Sequence, residues 1–112
     1  MTSNTKSTLT KHANNQFFLE LCVLTLIEVH PAPGARILAR LEALDFPTSP
    51  GTLYPLLAGL KKKSVIDLSY EEMDVGPARK CYFLTKIGQS YLAELKKKWR
   101  WISHTIYKAS KQ

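Results

Sequence analysis

The stretch SPGTLYPLLAGLKKK, residues 49–63, crowds two prolines and a glycine into its first seven positions, then repeats leucine at helical spacing and closes on three lysines. Helix breakers at the front are compatible with a helix if they stand where a helix tolerates them. Ser49 suits an N-cap, and Pro50 then takes the first helical position, where an N–H would be unpaired anyway. Leu53, Leu56, Leu57 and Leu60 follow at i, i+3, i+4 and i+7 and make one buried face. Gly51, Pro55, Ala58 and Lys62 fall opposite, with Tyr54 and Lys61 on one flank and Thr52, Gly59 and Lys63 on the other. This outer face is small until it reaches the lysines. Gly59 inside a helix costs roughly 0.5–1 kcal/mol relative to alanine, and a surface kept small at that cost suits the close approach of another large body. The ring of Pro55 is expected to meet the carbonyl of Gly51, so the first turn should bend or start late. Taken alone, the stretch also reads as a solvated surface helix with a basic end.

Working outward, residues 17–29 form a helix that is apolar on most of its circumference, through Phe17, Phe18, Leu21, Cys22, Val23, Leu24, Leu26 and Ile27. A helix of that kind needs cover on two sides, and in a short chain a second subunit is one source of it. HPAPGA breaks this helix. Pro33 opens another, with Ile37, Leu38, Leu41 and Leu44 on one stripe and Arg36 and Arg40 off it, and DFPTSP ends it.

After Ser64 the period changes to two. Ile66, Leu68 and Tyr70 alternate with Asp67, Ser69 and Glu71, and RKCYFL is a second, aromatic-rich strand beyond a loop carrying Gly76-Pro77. The pair makes a hairpin with a polar tip. A final helix runs from Thr85, a suitable N-cap, to about Ala109. The expected fold is therefore mainly α with a small β-hairpin (α+β), in winged helix-turn-helix order, with a long C-terminal helix. In that layout the third helix enters the major groove and the hairpin rests on the phosphate backbone.

The final helix carries a second pattern. Leu92, Leu95, Trp99, Ile102 and Ile106 are spaced 3, 4, 3, 4, a two-position seam that points to a homodimer. Trp101, off the seam, is expected to pack on its own subunit. Lys96, Lys97, Lys98 and Arg100 read as a solubilising outer side, with a second nucleic-acid contact as the alternative.

The 112 residues, 45% hydrophobic, fit one domain with a modest core, and the formal charge of +7 points to an anionic partner. No run of 18 apolar residues is present and the first 16 residues are polar, so neither a membrane span nor a signal peptide is expected, and the location expected is cytoplasmic. Cys22 and Cys81 read as buried free thiols. His12, His30 and His104 are scattered, and no carboxylate pair or glycine-rich phosphate loop appears. No catalytic residue, metal site or cofactor is expected.

SPGTLYPLLAGLKKKSVI, then GPARKCYFLTKIGQSYL, then a late tryptophan, resemble the PadR family of bacterial transcriptional repressors across residues 17–101. The resemblance implies a winged helix-turn-helix domain over 14–84, a dimerisation helix over 85–112 and a polar arm over 1–13. It implies double-stranded DNA with an inverted-repeat operator as partner, and often release by an aromatic small-molecule effector. Ser49, Thr52, Tyr54, Lys61, Lys62 and Lys63 match the recognition helix, and Gly76, Pro77, Arg79 and Lys80 the wing. Tyr54 has a second reading, packing against the preceding helix. Trp99 matches a tryptophan that lines a ligand cleft at the dimer centre in multidrug-binding members, with Phe17, Phe18 and Asn15 as further wall residues. An ordinary interface tryptophan is its other reading. Two positions depart from the family pattern: Pro33, Gly34 and Ala35 stand where His-Gly-Tyr is common, and Ser64 stands where glycine is usual. The rival functions are a winged-helix protein-interaction module that leaves DNA alone and, more remotely, an enzyme built on the dimer cleft.

Overall fold

Helix α1 (Gln16–Val29) starts where the Asn15 side chain accepts a hydrogen bond from the Phe17 N–H at 3.0 Å. It is the first element of the computed structural model, which describes residues 15–112; the arm expected over 1–13 lies outside the described residues. Leu19, Val23, Leu24 and Ile27 of α1 are buried at the centre of the core. Its C-terminal carbonyls are tied down from the next helix, because the Arg40 guanidinium donates to the carbonyl of His30 at 2.8 Å and to that of Leu26 at 3.5 Å.

Among the described residues, one charged side chain is buried in the core. Glu20 is 3% exposed, and it accepts hydrogen bonds from the Gln16 amide at 2.6 Å and from the Tyr91 hydroxyl. Burial first, then the bond to Glu20 and its charge, push the Tyr91 hydroxyl up to about 12. Because the folded value lies above the unfolded value near 10, this contribution to stability is intact below about pH 10 and is lost as pH climbs from there towards about 12. Tyr91→Phe is expected to cost about 1–3 kcal/mol at neutral pH. The gap between the two proteins, read from urea unfolding, should close across that alkaline window.

The break after α1 does more than stop a helix. Ala32, held extended by the proline that follows it, pairs with β2: its N–H donates to the Tyr82 carbonyl at 3.3 Å and its carbonyl accepts from the Tyr82 N–H at 2.9 Å. Helix α2 (Gly34–Ala43) follows, burying Ile37 and Leu41. It closes at Asp45, whose φ of 56° lets the Phe46 N–H reach back to the Leu41 carbonyl at 2.9 Å.

Helix α3 (Pro50–Lys62) buries Leu53, Leu57 and Leu60, with Leu56 half-buried. Two details differ from expectation. The first turn is not delayed, since the helix starts at Pro50 and runs through Pro55. Ser49 holds the N-cap position with its backbone alone: its carbonyl accepts from the Leu53 N–H at 2.9 Å, while its hydroxyl turns to that of Thr52 at 3.3 Å.

The end of α3 gives a physical reason for a glycine at position 64. Ser64 adopts a left-handed φ of 63°, its N–H bonds the Lys61 carbonyl, and the Val65 N–H bonds that of Leu60, both at 3.0 Å. A residue with a Cβ is strained there. Ser64→Gly is expected to stabilise the protein by up to about 1 kcal/mol, raising Tm by about 4 °C, as differential scanning calorimetry will show.

Strands β1 (Ile66–Glu71) and β2 (Arg79–Leu84) pair antiparallel, from Ile66 opposite Leu84 to Glu71 opposite Arg79. The alternation in β1 is regular but its burial is not: Ile66 is buried, Leu68 half-buried and Tyr70 exposed, because the outer half of the hairpin projects past the core.

Helix α4 (Lys86–Ala109) is capped by Thr85, whose hydroxyl oxygen accepts from the Gly88 N–H at 2.9 Å while its proton goes to the Ser64 carbonyl. The first turn of α4 lies so close to the α3–β1 junction that a Cβ on Gly88 would stand 1.9 Å from the Val65 carbonyl oxygen. No helix among the described residues is long and apolar enough to cross a membrane.

Candidate nucleic-acid interface

The outer face of α3 is as small and open as its residues imply. Gly51, Pro55, Ala58 and Gly59 are exposed, and no atom comes within 4 Å of where a Cβ on Gly59 would stand. Lys61, Lys62 and Lys63 are exposed at the C-terminal end, where cations also offset the helix dipole. Thr52 is half-buried and Ser49 exposed.

Tyr54 packs against the preceding helix and is exposed as well. Its ring lies against the start of α2, with Cε1 2.8 Å from where a Cβ on Gly34 would be. The glycine of the departing Pro33-Gly34-Ala35 segment is thus the residue that seats the ring.

On the hairpin, Lys80 is exposed and Arg79 half-buried. The Lys80 ammonium lies 5.8 Å from the centre of the Tyr70 ring on the opposite strand, so the exposed tyrosine steadies it. Gly76 turns the loop with φ 93°. The ion pairs among the described residues are Lys96–Glu28 at 2.8 Å and Lys97–Glu94 at 3.7 Å. The cations of α3 and the hairpin are in neither.

The other group of site residues divides. Phe18 and Trp99 meet edge-to-face, with ring centres 6.4 Å apart, at the mouth of an open apolar trough of about 530 Å³. Its remaining walls come from Leu21, Cys22, Thr25 and Leu26 of α1 and from Leu44, Asp45, Phe46 and Pro47 after α2. Phe17 packs against Phe18 at 5.4 Å and lies under the Lys98 ammonium, off the trough, and the Asn15 side-chain oxygen is engaged in capping α1. Neither lines the trough. Phe46 was missed because DFPTSP reads only as a helix stop, and Leu44, expected on the buried stripe of α2, is instead 61% exposed and lines the trough.

The α4 seam also divides. Leu92 is 1% exposed and belongs to the protomer's own core, with Leu95 packed against it, so Leu92 is not free to meet a second chain. The fit of α4 onto α1 and the start of β1 consumes that end. Trp99 is 44% exposed and Ile106 62%, with Ile102 half-buried. Trp101, expected to pack on its own subunit, is instead 68% exposed, because it stands on the side of α4 turned away from the seam. Cys22 and Cys81 are free thiols, each held above the ordinary thiol range, chiefly by burial. Among the described residues no cluster of His, Cys, Asp and Glu has the makings of a metal site.

A helix pair joined through residues 44–49, followed by a hairpin and a long helix, defines an α+β winged helix-turn-helix protein. Residues 23–94 match the model of the transcriptional regulator PadR-like family, and the chain belongs to that family. It is similar to a PadR-like transcription factor of Bacteroides fragilis, with 33% identity and a TM-score of 0.72 over 95% of this chain and 98% of that one. A PadR-like transcriptional regulator of Bacillus cereus shows 30% identity and a TM-score of 0.75 over 84% and 92% of the two chains. An uncharacterized protein of Lysinibacillus sphaericus is 38% identical over 62 residues, and the match spans 55% of this chain and 57% of that protein.

Proposed function

We propose that the chain is a repressor that binds an inverted-repeat operator as a homodimer, with α3 in the major groove and the hairpin on the flanking phosphates. The observation that carries this reading is the outer face of α3, small along its length and followed by three exposed lysines that pair with no carboxylate among the described residues. A small face lets the helix backbone approach base edges. Ser49, Thr52 and the Tyr54 hydroxyl then offer hydrogen bonds to bases or phosphates, and Lys61, Lys62, Lys63, Arg79 and Lys80 neutralise phosphates. Glu71, Glu72 and Asp74 repel the backbone and keep the hairpin tip clear of it.

The exposed apolar residues Trp99 and Ile106, with the trough beside Trp99, support a dimer closed through the distal half of α4. Two-fold symmetry then sets the two α3 helices about 34–36 Å apart, one turn of duplex. A flat aromatic molecule held between the dimer helices, in the trough beside Phe18 and Trp99, alters the spacing or tilt of the two heads. Its binding and that of the operator are reciprocally coupled, typically by about 1–3 kcal/mol. Sequencing random duplexes enriched by the purified protein tests the reading. Inverted repeats with one constant half-site spacing are expected; no enrichment, with sedimentation as a lone subunit at micromolar concentration, overturns it.

A further inference from the structure

The chain's positive charge is not where its DNA-reading elements are. Residues 85–112 hold seven of the sixteen lysines and arginines and one of the nine acidic residues, which makes +6 of the +7; residues 1–84 carry only +1. On α4 these cations are ordered. At 3.6 residues per turn, Lys97, Arg100, Lys108 and the following Lys111 fall within an arc of about 80°, and the Leu92-to-Ile106 seam occupies a similar arc on the opposite side. All four cations are exposed, bordered by the exposed Trp101 and Tyr107.

Lys97 and Arg100, and Lys108 and Lys111, stand three residues apart, a spacing at which like charges destabilise a helix. Among the described residues the stripe makes one ion pair, a largely exposed contact of Lys97 with Glu94 at 3.7 Å, and such surface pairs contribute little. Repulsion retained along one face, and relieved by a bound anion, is the pattern of a polyanion contact. The stripe from Lys97 to Lys111 is about 21 Å long, matching about six nucleotide steps of a DNA strand.

We infer that the solvent face of α4 is a second, sequence-independent contact for the phosphate backbone of duplex DNA, separate from α3 and the hairpin. An anionic bilayer is the poorer fit. A helix that lies on lipid turns its apolar side inward with cations flanking it, whereas here the apolar seam and the cations point opposite ways.

The test is the salt dependence of binding to a random-sequence duplex, measured for the wild type, for Lys97→Gln/Arg100→Gln/Lys108→Gln, and for Lys61→Gln/Lys62→Gln/Lys63→Gln. The α4 variant alters only exposed side chains and leaves the seam intact. Its slope of log K against log salt is expected to fall by about 3. An unchanged slope in the α4 variant, with loss in the α3 variant, overturns this inference and leaves the proposed function standing. If the wild type binds no duplex at all, both fall. Vesicles of phosphatidylserine and phosphatidylcholine form the last arm: wild-type binding that the α4 variant loses, with duplex binding unchanged, assigns the stripe to lipid and overturns the inference.

Discussion

Gly88→Ala is expected to destabilise the protein severely. The new Cβ would stand 1.9 Å from the Val65 carbonyl oxygen and 3.0 Å from its carbon, and both are backbone atoms held in place. Val65 is anchored from both sides: its N–H bonds the Leu60 carbonyl at the end of α3, and its carbonyl accepts from the Thr85 N–H. No rotamer change relieves the overlap, so α4 must lift off the body, withdrawing Leu92 from the core. A cost of about 3 kcal/mol or more follows, against a total stability of about 5–15 kcal/mol for a domain of ordinary size. Urea unfolding followed by circular dichroism measures it. A variant with a wild-type midpoint would mean that the first turn of α4 sits farther from β1 than described.

The second large effect is expected in DNA binding. Lys61→Gln/Lys62→Gln/Lys63→Gln removes three cations from the exposed end of α3 without touching the core. If each neutralises one phosphate, affinity for an operator duplex at physiological salt falls about 100-fold, and the salt slope drops by about 3. Folding should be little affected, since the lost favourable interaction with the helix dipole is only about 0.3–1 kcal/mol per charge. Fluorescence anisotropy across a salt series, beside a thermal melt of the same variant, separates the two effects. An unaltered slope would remove these lysines from the interface.

Much of the architecture was legible because it rests on local chemistry. The leucine spacing in α3, Pro50 at its start and Thr85 before α4 each specify a helix or its end through near neighbours alone. What escaped depends on partners distant in sequence. Ala32 lies in a proline-flanked break, and only the arrival of Tyr82, fifty residues on, makes it a strand position. Leu92 follows a regular seam, but whether such a residue faces a partner or its own core depends on how deep α4 sits, which Gly88 sets. Tyr70 keeps strict alternation and is exposed all the same, since period tells which face a side chain takes and not whether anything covers it.

The candidate site was legible in the same uneven way. The cations of α3 and the hairpin could be named from the run KKK and from Arg79-Lys80, and the structure leaves all but the half-buried Arg79 exposed. The aromatic group was only half legible. Phe17 and Phe18 are adjacent on one helix and therefore point about 100° apart, so only Phe18 reaches Trp99.

The knot formed by Ser64, Val65, Thr85 and Gly88 has a mechanical consequence. The closing turn of α3 holds the N–H groups of Ser64 and Val65, and Thr85 at the start of α4 holds the carbonyls of the same two residues, with no linker between them to absorb rotation. The two helices therefore behave as arms of one crank: a swing applied at the far end of the long arm is delivered to the short arm without slack.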